Sequence, residues 1–524
     1  MRNSSNRIGG TLLNWITIIV QIVISIFFVP FFLTIVGDRE YGLYSFSTSL
    51  ITWLDTFMIA VAAAYYKFLT REKNRHGEYG EARACGVFGI IFMSISAFVL
   101  IVGLLFDLLL FNGIIPLSEY SYVEKNEICL IILMSILSTV VSCALTVYKS
   151  FQFYKQKFVL IYLFSLIQII VQTILSVLFL KLGYGVVVVA GIHFGIALLS
   201  TIMLSVLSKL FLKERVSYKP LSTEDKKYRI GLIKEILVFS IFVVMNTVVD
   251  TLNKTLDKTI LGFYNPDSVA NYQLAYTFPA YLLAFTSIIS VVYDLKLNNA
   301  YYFGGGDDEI NEIFLKVSKI QTIVCFLIIG GFFACGKEFI FMWLDETREQ
   351  VFIVSSILMV TYSLSCSNRL AITARRVKNL HIKAAFIYLG IAIFNVALSV
   401  LLVNLFDKNY AIWCCVVGTV ISYVIGHWLI MQIYDSKVVK LNVKQFFFTF
   451  LKYLFIAATI DIVIIRLARL LEINTFIANF VFKGTTFLLV YLIIVAVFEN
   501  DLYIQFKNKI RHLFLRRSKN AINS

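Results

Sequence analysis

Four charged residues, Asp250, Lys254, Asp257 and Lys258, stand inside one otherwise apolar stretch, Ile236–Tyr264, which reads ILVFSIFVVMNTVVDTLNKTLDKTILGFY. At the 3.6-residue period of a helix, Asn246, Asp250, Asn253 and Asp257 fall within about 60° of one another, and Lys254 and Lys258 widen the stripe to about 140°. A charge in hydrocarbon costs about 2.5 to 3.5 kcal/mol on insertion scales, so such residues face a bundle interior or a wet cavity. Two chemistries fit the spacing. In one, the lysines attract an anionic headgroup while the carboxylates balance them or exchange H+ or Na+. In the other, the stripe pairs with itself, Asp250 with Lys254 at i,i+4 and Lys254 with Asp257 at i,i+3. Self-pairing alone gives no reason to place four charges in a membrane, which favours the cavity.

Other polar groups within apolar stretches are sparser. Asp55 lies near the middle of the second stretch, where an unpaired carboxylate is costly without a cation or proton. Asn14, Gln21, Gln168 and Gln172 have the character of interhelical hydrogen-bond partners. Arg7 and Arg369 close apolar stretches, where each serves either to meet a phosphate or to set topology. Pro30 and Pro279 fall inside predicted helices and predict bends there. The sequence contains no phosphate-binding loop of the GxxxxGK[ST] type and no HExxH, and its eight cysteines lack CxxC spacing. No catalytic residue, metal site or cofactor is expected.

The elements that must position these residues follow from composition. Of 524 residues, 59% are hydrophobic and 15% charged, against about 25% charged in soluble domains. A span needs about 20 residues, and apolar stretches of that length recur about fourteen times. The expected fold is an all-α polytopic membrane protein. A first six-helix bundle occupies 1–208, a cytoplasmic linker 209–235, a second six-helix bundle 236–434, and a final helix pair with a basic tail 435–524. The opening MRNSSNRIGGTLLN runs into an apolar stretch without a small-residue cleavage site and predicts a retained first span. The net charge of +15 is spread between spans, so no nucleic-acid partner is expected. Lys and Arg concentrate in alternate loops, which predicts that both termini are cytoplasmic. The opposite loops, such as 37–40 and 265–267, are too short to carry a catalytic domain, which argues for a transporter and against an enzyme.

The segment FFLTIVGDREYGLYSFSTSLITWLDTFMIAVAAAYYKFLTREKN resembles the opening of the polysaccharide-transport proteins, the oligosaccharide flippases of the multidrug/oligosaccharidyl-lipid/polysaccharide exporter superfamily. The resemblance rests on Gly37, Tyr41, Gly42, Leu43, Asp55 and Lys67, and on Asp257, Tyr272 and Ala275 within LDKTILGFYNPDSVANYQLAYTF. It departs at Phe57, where the family usually has glycine. The resemblance implies a bacterial inner-membrane flippase that moves a polyprenyl-pyrophosphate-linked oligosaccharide by alternating access, for O-antigen, capsule or exopolysaccharide assembly. Membrane lipids, a polysaccharide polymerase and chain-length proteins are its implied partners. Under that reading Arg7, Lys254, Lys258 and Arg369 bind the pyrophosphate, and Gln21, Asn246 and Asn253 contact sugar. Asp55, Asp250 and Asp257 then couple to H+ or Na+ or balance the lysines. The rival readings are a lipid II-type flippase, a cation-coupled drug antiporter of the same superfamily, and a membrane-embedded polysaccharide polymerase or glycosyltransferase.

Overall fold

In hydrocarbon every backbone N–H and C=O must be satisfied within the spanning segment, so apolar stretches of this length fold as helices. The computed structural model describes residues 2–212, 216–302, 306–472 and 475–499, and no strand occurs among them. Its first helical run, Arg2–Phe111, is broken at Gly37 (φ 80°, ψ 170°) and Gly77 (φ 64°, ψ −149°) into α1 (2–36), α2 (38–76) and α3 (78–111). Positive φ with extended ψ is a conformation that only glycine adopts without strain, so these two residues make the hairpin turns. There follow α4 (Tyr122–Tyr154), α5 (Phe158–Lys181), α6 (Val186–Leu212), α7 (Thr223–Tyr264), α8 (Asp267–Tyr302), α9 (Gly306–Trp343) and α10 (Glu349–Ser367). The chain continues with the short α11 (Leu370–Val377), α12 (His381–Leu405) and α13 (Ala411–Tyr423). A π-helical turn, Val424–Ile430, leads into α14 (Met431–Lys437), and α15 (Val443–Leu470) and α16 (Phe476–Phe498) complete the fold.

The protein is therefore an all-α, multi-pass membrane protein. Among the described residues eleven helical runs are long and apolar enough to cross a membrane. One of them, Leu13–Phe111, takes in α1, α2 and α3, whereas α8 is not among the eleven. The chain divides into two compact units, Met1–Gln273 with Ile382–Ser422, and Leu274–His381 with Tyr423–Ser524.

In the first unit α2, α3, α4 and α7 share a core of Tyr65, Phe68, Phe88, Phe92, Val147, Phe151, Leu232 and Ile236. Beyond one end of that core lies a buried ionic network. Glu72 accepts from Arg83 Nη2 at 2.9 Å and from Tyr228 Oη at 3.1 Å, and Asp225 joins Arg83 Nη1 (3.4 Å) to Arg229 Nε (2.8 Å). Arg229 also donates to the carbonyls of Ser217 and Lys219, at 2.5 and 3.0 Å. The polar stretch after α6 is thereby tied to the α2–α3 hairpin. Ser222 caps α7, its Oγ accepting from Asp225 N at 3.1 Å, so this helix begins at Thr223, inside the polar stretch.

In the second unit Arg375 and Asp435 form a buried two-pronged ion pair, Nε–Oδ1 2.7 Å and Nη2–Oδ2 2.6 Å, which joins α11 to α14. Phe278, Phe332, Phe339, Met359 and Phe480, from α8, α9, α10 and α16, line an apolar cavity of about 300 Å³. At the end of α16, Glu499 receives Lys319 Nζ (2.7 Å), Lys452 Nζ (3.3 Å) and Tyr453 Oη (2.8 Å). Burial pushes this carboxyl up, but Lys319, Tyr453 and Lys452 outweigh it and hold Glu499 below its usual range. A depressed carboxyl pKa stabilises the fold above the unfolded value, about 4.3, and the gain is lost as pH falls through the folded value. Docking of α16 on α9 and α15 should therefore be constant from neutral pH to about 5 and weaken below about 4. Glu499→Gln should remove that dependence and cost about 1 kcal/mol, read by hydrogen exchange of the last turns of α16 against pH.

Candidate functional site

Of the described residues expected to bind substrate or couple ions, Asp257 is the most enclosed. It projects from α7 and is buried. Tyr272 Oη, from the first turns of α8, donates to Oδ2 at 2.5 Å, and Thr419 Oγ1, from α13, donates to the same oxygen at 2.8 Å. Behind Thr419 stands Asn395 of α12, whose Nδ2 donates to Thr419 Oγ1 at 3.3 Å. Ser399, one turn along, donates to Asn395 Oδ1 at 3.3 Å. Four helices of the first unit therefore converge on one carboxylate. Its other oxygen, Oδ1, is buried with no hydrogen-bond partner among the described residues. An unmatched buried acceptor is costly, and the groups that bond to the other oxygen are neutral hydroxyls. The arrangement has the donor set to receive a proton or a small cation.

A second carboxylate sits in the first bundle. Asp55, on α2, accepts from Thr139 Oγ1 of α4 at 3.0 Å and borders a polar cavity of about 280 Å³. On another wall Tyr44 Oη lies 2.8 Å from His193 Nδ1, and Gln172 Nε2 donates to the His193 carbonyl at 3.2 Å.

A third feature closes one end of this unit. Arg39, in the first turn of α2, reaches Glu124 (Nε–Oε1 2.7 Å), Asp267 (Nη1–Oδ1 2.9 Å) and the Glu119 carbonyl (2.7 Å), with its guanidinium 5.1 Å from the Tyr120 ring centre. Lys408 pairs with Glu119 at 2.6 Å, and Asn265 Nδ2 donates to the Lys408 carbonyl at 2.7 Å. Beneath them α7 approaches α2 so closely that a Cβ on Gly262 would lie 1.9 Å from Phe46 Cδ2. Phe46 stacks in turn on Tyr120, ring centres 5.8 Å apart. The turns 37–40, 119–124, 264–267 and 404–408 thus form one bonded seal.

The remaining sequence candidates stand apart from these centres. Lys258 is half-buried on α7 and makes no ion pair among the described residues. Gln21 is exposed on α1, and Arg369 is half-buried at the start of α11, in the second unit. The side chains of Arg7, Asn246, Asp250, Asn253 and Lys254 lie outside the described residues, although their backbones are helical. Neither Asp257 nor Asp55 bonds to another of the predicted site residues among those described. Sequence reasoning missed Asn395, Thr419 and Tyr44 as site residues. The one available signal was the i,i+4 pair Asn395–Ser399 in an otherwise apolar helix. Tyr272→Phe or Thr419→Val leaves the Asp257 carboxylate one donor short. Each should lower stability by about 1–3 kcal/mol in denaturant titrations of the detergent-solubilised protein.

A family model described as "Polysaccharide biosynthesis protein" matches residues 9–293. None of the curated proteins compared with the chain matches it in sequence. Among solved structures, the fold is similar to that of the lipid II flippase MurJ in an inward closed conformation. The TM-score is 0.70 at 15% identity, over 94% of this chain and 100% of that one. It is also similar to a eukaryotic MATE transporter (TM-score 0.58, 15% identity, 86% of this chain and 99% of that one). A Vibrio cholerae MATE transporter matches at TM-score 0.53 and 14% identity, over 85% of this chain and 99% of that one.

Proposed function

The chain belongs to the polysaccharide biosynthesis protein family, and on that premise we propose that it is an ion-coupled flippase of lipid-linked oligosaccharide in the bacterial inner membrane. The observation that carries this reading is Asp257, a carboxylate held by α7, α8, α12 and α13 within the spanning region, with one oxygen unmatched. Intramembrane carboxylates of this kind belong to ion and proton pathways. The likeness to MurJ and MATE folds supports the same reading.

A pyrophosphate cannot enter hydrocarbon without replacement of its hydration shell. Lys254 and Lys258 of α7, with Arg7, supply the cations that do this, and Gln21, Asn246 and Asn253 supply amides for the sugars. The polyprenyl tail stays in the bilayer. H+ or Na+ occupies the Asp257 centre, where Tyr272, Thr419 and Asn395 add oxygen ligands or hold the carboxylate for a proton, and Asp250 balances the lysines. Because α7, α8, α12 and α13 all meet at Asp257, occupancy there biases how these four helices pack, which is what coupling requires. The positive charge of the alternate loops sets both termini in the cytoplasm and puts the Arg39 seal on the periplasmic side. The first unit is then sealed at that end, and transport must break the Arg39 and Lys408 ion pairs.

Replacing Lys254 and Lys258 together by Ala should abolish translocation while leaving membrane insertion intact. The repeat unit then accumulates on the cytoplasmic leaflet, and normal export by the double variant would sink the assignment. Asp257→Asn keeps the side-chain size and should remove the dependence of transport on the H+ or Na+ gradient. Arg39→Ala should favour the outward-open state, seen as faster labelling of a cysteine at Thr259 by an impermeant reagent added from the periplasmic side.

A further inference from the structure

The cavity beside Asp55 is built differently from the Asp257 centre, and the function proposed above does not use it. It lies wholly within the first bundle, among α2, α4, α5 and α6. Its volume of about 280 Å³ is near the lower end of small-molecule sites, about 300–1,000 Å³. That is far more than one water needs, about 30 Å³, and much more than a bare cation. Its polar groups do not converge on a point as ion ligands do. Asp55 and Thr139 form one wall, with Ser135 and Ser138 on the same helix as Thr139; His193 and Gln172 lie on two further helices. Tyr44 and Phe194 add aromatic surface.

Several atoms are free to take a ligand. Thr139 occupies only Oδ1 of Asp55, Gln172 uses its Nε2 on a backbone carbonyl, and Tyr44 meets His193 through Nδ1. The second carboxylate oxygen, the amide oxygen and His193 Nε2 are absent from the buried, unmatched atoms. No lysine or arginine lines the cavity, and Asp55 is its one carboxylate.

Dispersed hydroxyl, amide and carboxylate groups around aromatic surface suit a ring that bears hydroxyls on its edge and C–H groups on its faces. An anionic ligand would meet the Asp55 charge with no cation to offset it. We infer that this cavity is a subsite for one sugar residue that is neutral or carries an amino group, and that it rejects uronic and other acidic sugars. The inference rests on the flippase reading and refines it. It places part of the glycan's specificity inside the first bundle, apart from the groups that bind the pyrophosphate, and gives Asp55 a selecting role distinct from ion coupling.

The test uses the full-length protein in nanodiscs and saturation-transfer NMR with galactose, glucosamine, N-acetylglucosamine and glucuronate at millimolar concentration. The three non-acidic sugars should receive saturation about tenfold or more strongly than glucuronate, as a single unscreened like charge requires. Asp55→Asn should bring glucuronate to within about twofold of galactose, a change in selectivity that a loosened fold would not give. Gln172→Ala should weaken all four signals together. Thr139→Val, which frees Asp55 Oδ1 but keeps the charge, should leave the discrimination against glucuronate in place and guards against a misfolded Asp55 variant. Equal signals from glucuronate and galactose in the wild type would overturn the inference. So would discrimination that survives Asp55→Asn, or signals unmoved by Gln172→Ala. Leaflet assays of the lipid-linked repeat unit in a deletion strain separate this from the flippase reading. Protein-dependent export without sugar contact at the cavity removes only the subsite, whereas selective sugar contact with export unchanged by deletion removes only the flippase.

Discussion

The cost of an ionised group in hydrocarbon governs this molecule more than any other interaction. Apolar helices in lipid gain nothing by burying one another's side chains, since lipid tails are equally apolar. Where a carboxylate appears in such a setting, the neighbours that satisfy it decide which helices must touch. At Asp257 that logic draws Tyr272, Thr419 and Asn395 from three separate helices onto α7. Breaking a buried polar group of this kind costs more than forming it gains, because the orphaned partner stays in low dielectric. The centre therefore acts as a fixed point for the helices around it, with one buried oxygen left unmatched among the described residues.

The same reasoning separates the two ends of the first unit. At the Glu72 end the network of Glu72, Arg83, Asp225 and Arg229 is buried, bonds to backbone carbonyls of the stretch after α6, and reaches more exposed groups through Arg71 and Glu235. Opening it would strand charges away from water. At the Arg39 end the partners are more exposed, Asp267 most of all, with 76% of its side chain accessible. Water can take over those hydrogen bonds at small cost, since exposed ion pairs contribute about 1 kcal/mol or less. Parting the Arg39 end therefore costs less than opening the Glu72 end.

Much of this was legible in the sequence, for identifiable reasons. Asp55 and Asp257 could be singled out because a carboxylate in an apolar helix has few structural excuses, and both have built surroundings. Gly37 was readable as a turn because it falls between two apolar stretches beside charged residues. What escaped was everything whose residue type is ambiguous in a helix. Thr419 and Asn395 resemble the many hydroxyls and amides that bond locally to the preceding turn, as Thr255 does to Thr251 and Thr259 to Thr255. Only three-dimensional juxtaposition separates them. The start of α7 was displaced for another local reason: the Ser222 cap and the Arg229–Asp225 pair at i,i+4 make a polar sequence helical, and hydropathy does not register that.

Asp55 and Asp257 also show why two intramembrane acids in one chain need not share a task. Asp257 has two donors on one oxygen and a buried second oxygen without a partner among the described residues, a site whose size suits a proton or a desolvated ion. Asp55 has one donor and an open, hydroxyl-rich space before it. A small ion would fill little of its roughly 280 Å³ and would keep much of its water there. A polyhydroxylated ring can span the same space and bond to several walls at once.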